Sequence, residues 1–365
     1  MSAVSTPYLA MDLDAVSHAY RTLTDALRVV TLHYAVKCNP DPRVLGRLAE
    51  QGCRFEIAST AELDLLGTLG VDPRELLFSN PVKAPAHVQA AYAAGVRMFA
   101  VDSTPELDKI AGYAPGTSVY VRLSTTNTQN QVPSEGKFGV DEAVAARLLL
   151  QAADRGLDPY GVTFHVGSQT TDPTAWDAPI ESCARLMTGL LAYGIRLTLL
   201  DIGGGFPAGY VGYTPRLGDI GKHIRAALER HLPYPVDVVA EPGRALVAEA
   251  GTMVSTVIGV AERHGRRWVH LDVGAFNGLM EALETGNQLR YPVSDSRDSG
   301  TLVPHHITGP TCDSQDTVLF DVPLSEAITV GDMVYIHSAG AYTTSYASRF
   351  NGFDLPATVI TGPAG

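Results

Sequence analysis

From about residue 25 to residue 260 the chain repeats one pattern, a short apolar run followed by a helix-length amphipathic stretch. LHYAVKCN precedes PRVLGRLAEQG, RFEIAS precedes TAELDLLGTLG, ELLFSNP precedes APAHVQAAYAAG, and MFAVDS precedes TPELDKIAGYA. Strand then helix, repeated, predicts a parallel sheet with crossover helices. SVYVRLS, YGVTFHVGSQ, LTLLDIGGGFP and VDVVAEPGRA continue the series to about eight strands, the number that closes a (β/α)8 TIM-like barrel. An open doubly wound sheet is the runner-up. Ser59-Thr60-Ala61-Glu62 and Ser103-Thr104-Pro105-Glu106 each put a hydroxyl cap and an early carboxylate where a first helical turn favours them. Thr128 to Gly136 (TQNQVPSEG) breaks the rhythm and reads as a mobile loop near the barrel mouth.

After about residue 255 the helical period fades and β-branched runs take over: TMVSTVIGVAER, RRWVHLDVG, GTLVPHHITGP, TVLFDVPL, DMVYIHSAGAY and ATVITGP. They predict a second, antiparallel β domain, a sandwich or barrel over 256–365 that the N-terminal strand in residues 1–24 joins; the first domain is then a barrel over 25–255. With 365 residues, 45% hydrophobic and 18% charged, the chain can bury two such cores. Its net charge of -12 is spread along the chain, which excludes a basic nucleic-acid footprint and mildly favours a cationic small molecule. Cys38, Cys53, Cys183 and Cys312 lie far apart with no CxxC spacing, so neither a disulfide framework nor a zinc site is expected, and no metal is. No apolar run nears the ~20 residues of a membrane span and no basic-then-apolar leader opens the chain. A cytoplasmic protein away from membranes is the expectation.

Lys37 in YAVKCNP ends an apolar strand, where a barrel presents its active-site face. A lysine desolvated there is a nucleophile that forms a Schiff base with a carbonyl; a lysine snorkelling from a strand end is the plain alternative. DIGGGFP places Gly203, Gly204 and Gly205 after an apolar run, where bare backbone can turn its amides onto an anion. In AEPGRA, Gly243 permits a close approach and Arg244 can fork onto a phosphate. Glu241 at the same strand end needs a cationic partner, either Arg244 or a pyridinium nitrogen. His165 in FHVGSQ could stack on a flat ring and Ser168 could bond a phosphate, although a lone histidine is more often a satisfied core group.

YAVKCNP, FHVGSQ, DIGGGFP, AEPGRALV, GPTCDSQD and GAYT with FNGF, in this order over nearly the whole chain, closely resemble the fold-type III pyridoxal-phosphate decarboxylases, especially the ornithine decarboxylase group. The resemblance implies an alanine-racemase-like barrel with a C-terminal β domain and pyridoxal 5'-phosphate as cofactor. It implies that Lys37 carries the cofactor as a Schiff base, that His165 stacks on its ring, that Glu241 pairs with its nitrogen, and that Ser168, Gly203 to Gly205, Arg244 and Tyr342 contact its phosphate. Glu56 stands where the family often has aspartate and keeps a carboxylate near the cofactor. Two subunits are implied to complete each other's sites, with Cys312 returning a proton to the substrate carbon and Asp313 holding the distal ammonium. Glu281 and Phe350 are expected as further substrate contacts. Glu281-Ala282 replaces a tyrosine and aspartate of eukaryotic members, although FNGLMEAL resembles the bacterial branch.

Cys312-Asp313, where diaminopimelate decarboxylases typically have Cys-Glu, favours a second amine on the substrate. L-Ornithine, giving putrescine for polyamine synthesis, is the first expectation, and lysine or an unusual diamino acid the second. An amino-acid racemase of the same fold is disfavoured by HVGSQ, GGG and Cys312-Asp313. A catalytically inactive partner-binding homologue, like the antizyme inhibitors, tends to lose the cofactor lysine, which this chain keeps.

Overall fold

The computed structural model describes residues 4–125, 130–132, 136–297 and 300–361. By contacts the chain divides into two units, one of Tyr20–Pro207 with Pro215–Gly243 and the other of the N-terminal residues through Ala19, Ala208–Thr214 and Arg244 onward.

The chain opens with β1 (Tyr8–Asp12), and then α1 (Leu13–Leu27) leads into the alternating region. Its elements are β2 (Val30–Ala35), α2 (Pro42–Glu50), β3 (Arg54–Ile57), α3 (Thr60–Thr68), β4 (Leu77–Phe78), α4 (Pro85–Ala94), β5 (Met98–Val101), α5 (Thr104–Tyr113) and β6 (Ser118–Arg122). There follow β7 (Asn130–Val132), α6 (Glu142–Asp154), β8 (Asp158–Thr163), β9 (Ser168–Thr170), α7 (Asp177–Leu190), β10 (Leu199–Asp201), α8 (Leu217–His231) and β11 (Asp237–Ala240). Eight of the strands, in the order β10-β11-β2-β3-β4-β5-β6-β8, close into a parallel barrel, so the closed form and not the open sheet is the fold. Leu77, Ala100, Tyr120, Leu199 and Val239, from five barrel strands, pack together as a buried plug. Removing the Leu77, Leu199 and Val239 side chains from water stabilises the fold by roughly 1.5–3 kcal/mol each.

Local signals hold unevenly. Ser59 caps α3, accepting from the Glu62 amide at 3.3 Å, while Glu62 accepts from the Ala58 amide at 2.6 Å. Ser103 makes no such bond at α5, and Glu106 is buried as an ion-pair partner of Lys83 (3.1 Å) instead of serving an exposed first turn. Of the expected loop from 128 to 136, residues 128–129 and 133–135 lie outside the described residues, and β7 inside it pairs antiparallel with β9.

The second unit holds α9 (Arg244–Val247), β12 (Gly251–Arg263), β13 (Arg266–Leu271), α10 (Met280–Glu284), β14 (Val293–Asp295), β15 (Leu302–Thr308), β16 (Thr317–Ser325), β17 (Met333–Ile336) and β18 (Ala357–Thr361). Its sheet runs β14-β17-β12-β13-β15-β16, with β1 beside β12. Most pairs are antiparallel as expected; β13 with β15 and β1 with β18 are parallel. The unit begins at Arg244, ahead of the boundary expected at 255, because the Arg244 guanidinium is tied to Tyr210 and Glu281 and the Gly340 amide donates to the Ala248 carbonyl at 2.9 Å. Residues 208–214 belong to it through Ser338 Oγ on the Gly209 carbonyl (2.6 Å) and the Val211 amide on the Arg290 carbonyl (2.8 Å).

Candidate active site

In the barrel unit the carboxyl ends of the strands gather the expected residues. Lys37 sits on a single 3-10 turn directly after β2, half-exposed, and its Nζ donates to both oxygens of buried Glu56 at 2.8 Å. Withdrawal from bulk water would lower the Lys37 pKa, but Glu56 and then Glu241 outweigh it and hold it above the ordinary lysine value. Lys37 is therefore a cation until another group displaces those carboxylates. Gly243 fixes this turn from the other side of the closure: a Cβ there would stand 2.9 Å from Cys38 Cβ, and the Ala35 amide donates to the Pro242 carbonyl at 3.0 Å.

The glycine run after β10 cannot carry side chains. A Cβ on Gly203, Gly204 or Gly205 would meet the carbonyl oxygens of Phe164, Glu241 and Gly167 at 2.1, 2.6 and 2.4 Å. Gly203 and Gly205 also take left-handed conformations, φ +64° and +97°. Backbone without side chains lines this turn. The Gly203 amide is held by Asp201 Oδ1 at 2.9 Å, and the Gly204 amide donates to His165 Nδ1 at 3.2 Å. With Nδ1 accepting, the imidazole carries its proton on Nε2. Burial, then Arg122 and Lys37, push the His165 pKa down to about 3, so the ring is neutral at pH 7. Burial, then Asp201 and Glu56, push the Glu241 pKa well above the carboxylate range. Burial likewise lifts Asp201 to about 6. A cation brought to Glu241 relieves that penalty. Ser168 opens β9 nearby in sequence.

In the second unit Arg244 is nearly fully buried. Nη1 donates to Tyr210 Oη and to Glu281 Oε2, both at 2.8 Å, Nη2 reaches Glu281 Oε1, and the guanidinium lies 5.0 Å from the ring centre of Tyr342. Glu281, expected as a substrate contact, thus has both oxygens on the arginine. Cys312 is exposed, 3.8 Å from Asn351 Nδ2, and Phe350 packs on Phe276 with ring centres 4.6 Å apart. Asp313, exposed, accepts from the Gln315 amide at 2.9 Å. Buried Asp316 organises that loop, accepting from the Ala275 amide (2.7 Å) and from the amide and hydroxyl of Thr311 (3.0 and 2.7 Å).

Residues 13–248 match the family described as pyridoxal-dependent decarboxylase, pyridoxal binding domain. The chain belongs to the pyridoxal-dependent decarboxylases. This decarboxylase is 36% identical over 361 residues to the lysine/ornithine decarboxylase of Selenomonas ruminantium, covering 98% of this chain and 90% of that one. The lysine/ornithine decarboxylase of Vibrio vulnificus, solved with putrescine, superposes with a TM-score of 0.89 at 36% identity, covering 98% and 94%; its cadaverine complex gives 0.90. Antizyme inhibitor 2 of Xenopus laevis is 32% identical over 361 residues, covering 95% and 79%. The chain is a basic amino-acid decarboxylase that uses pyridoxal phosphate.

The barrel residues of the decarboxylase fit that cofactor, since a turn of three glycines without side chains lets a phosphate approach the backbone, a neutral imidazole suits a ring face and a penalised carboxylate suits a pyridinium. Sequence reasoning missed Ser79, Tyr120 and Asp201, which surround Glu241 or the glycine turn, and Tyr210 and Asp316. Asp201 and Asp316 lie inside the quoted DIGGGFP and GPTCDSQD motifs, whereas nothing in LLFSNP, SVYVRLS or GYVGYT marks the others.

Proposed function

We propose that this chain converts L-ornithine to putrescine and carbon dioxide, with L-lysine as second substrate, and works as a homodimer. The observation that supports it most is the gathering of Lys37, Glu56, His165, Gly203 to Gly205 and Glu241 at one end of the barrel. Bound pyridoxal phosphate supplies an electron sink for the pair of electrons left as carbon dioxide departs.

Lys37 would hold the cofactor through its amine, and the same amine would serve to free the product. Glu56 receives and orients the freed ammonium. Glu241 meets the ring nitrogen and keeps it protonated. His165 stacks on the ring, and because its imidazole is neutral it adds no charge opposing that cation. Ser168, Gly203 to Gly205, Arg244 and Tyr342 hold the phosphate, with Glu281 steadying Arg244. Cys312 of the partner subunit gives the proton to Cα, and Asp313 of the partner subunit pairs with the distal ammonium. An acid at that position selects a second amine on the substrate. The likeness to a protein solved with both putrescine and cadaverine supports five- and six-carbon substrates alike, since one methylene alters selectivity by only ~1–3 kcal/mol.

The test is carbon dioxide and amine release with added pyridoxal phosphate across L-ornithine, L-lysine, L-arginine, diaminopimelate and D-ornithine. Putrescine formed fastest from L-ornithine is the expected result. Faster cadaverine release would reverse the order of substrates, and release from neither L-ornithine nor L-lysine would refute the proposal. A protein that takes up no cofactor would favour the partner-binding role of the antizyme-inhibitor relative.

A further inference from the structure

Ser79, directly after β4, stands between two polar groups of other strands. Its amide donates to the Ile57 carbonyl at 3.1 Å, its hydroxyl donates to Glu241 Oε1, and Tyr120 Oη lies 2.8 Å from the same hydroxyl. A serine hydroxyl has one proton to give. When Glu241 is ionised opposite a cation, Ser79 gives it that proton and Tyr120 must be the donor to Ser79, so the chain runs from Tyr120 through Ser79 and ends on the carboxylate. Neither hydroxyl is free to wander. The Tyr120 ring is fully buried in the barrel plug. The segment after Ser79 is fastened by Lys83, whose buried Nζ donates to the carbonyls of Asn80 (2.8 Å) and Ala100 (2.6 Å) and pairs with Glu106.

We propose that Ser79 and Tyr120 are positioning residues that fix Glu241 through Oε1 and favour its ionised form, so that this carboxylate can meet the cofactor's ring nitrogen. The inference rests on the reading above that Glu241 meets that nitrogen. Lys37 and Arg122 are cations that also bear on Glu241, Asp201 hydrogen-bonds it, and Asp201 and Glu56 both oppose its ionisation. A donor on Oε1 acts against them.

The experiment titrates the full-length, cofactor-stripped protein with pyridoxal phosphate, following intrinsic fluorescence, for wild type, Ser79→Ala, Ser79→Thr, Tyr120→Phe, Glu241→Gln and the double variant Ser79→Ala/Glu241→Gln. Loss of one hydrogen bond to a charged group should raise Kd about tenfold in Ser79→Ala. Ser79→Thr should recover most of the affinity, Tyr120→Phe should lose part of it, and Ser79→Ala should change Kd less than about twofold once residue 241 is glutamine. An equal loss in both backgrounds, or none in the wild-type background, overturns the proposal. If Ser79→Ala does not fold, Tyr120→Phe alone and in the Glu241→Gln background carries the same comparison. Glu241→Gln with unchanged affinity would instead remove the underlying reading of Glu241, and the proposal with it.

Discussion

Gly203→Ala tests whether the glycine turn is a packed requirement or a flexible loop. The new Cβ would lie 2.1 Å from the Phe164 carbonyl oxygen and 3.2 Å from His165 Cα, and the residue already has φ +64°. An alanine in that left-handed region costs about 1–2 kcal/mol. Reaching even 3.0 Å, the shortest contact a real Cβ tolerates, requires nearly 1 Å of retreat by backbone next to His165. Such overpacking costs about 1–3 kcal/mol, so the variant should lose ~2–5 kcal/mol. The control is Gly46→Ala inside α2, where a Cβ meets nothing within 4 Å and the better helix former should add ~0.5–1 kcal/mol. Thermal unfolding of the cofactor-free proteins reads both changes, and a cofactor titration should show Gly203→Ala weakened as its amides shift. If Gly203→Ala matched wild type in midpoint and affinity while Gly46→Ala rose as expected, the reasoning about this turn would be refuted.

Other outcomes follow from buried charge. His33, buried beside the Phe55 carbonyl, has its pKa pushed down to about 4 by burial, so the unfolded chain binds the extra proton between pH 6.5 and 4. The His33 contribution to stability should therefore fall by roughly 3 kcal/mol across that window; His165, lowered to about 3, acts in the same direction, and Asp201 and Glu241, whose raised pKa values stabilise the fold as pH drops, act against it. His33→Gln should make the pH dependence of the urea midpoint shallower over that window, and an unchanged slope would contradict this. Glu281→Ala strands the Arg244 guanidinium in the interior and should cost ~3–5 kcal/mol in denaturant unfolding, more than Asp313→Ala on the surface. Lys37→Ala should abolish the visible absorption band of bound cofactor, with full turnover as the contrary result. Cys312→Ala should divert a share of turnovers to ketone products detectable by mass spectrometry; clean amine at the normal rate would remove its role as proton donor.

The sequence by itself determined the repeated strand-and-helix order and favoured a barrel, because alternation of apolar runs and amphipathic stretches is a property of near neighbours along the chain, whereas closure against an open sheet was decided by the tertiary structure. It also placed Lys37, His165, the glycine turn and Glu241 at strand ends, since a strand's terminus is visible in its own residues. Partner choice was not legible. Ser79 meets Glu241 across 162 positions, Glu281 meets Arg244 across 37, and Glu106, which reads as a first-turn carboxylate, serves Lys83 across 23. The parallel pairings of β13 with β15 and of β1 with β18 carry no local mark either, because period-2 patterning is the same for either direction. Only closure of the strands decides which polar groups share a dry interior, and there each must find whichever donor or acceptor the fold brings within reach.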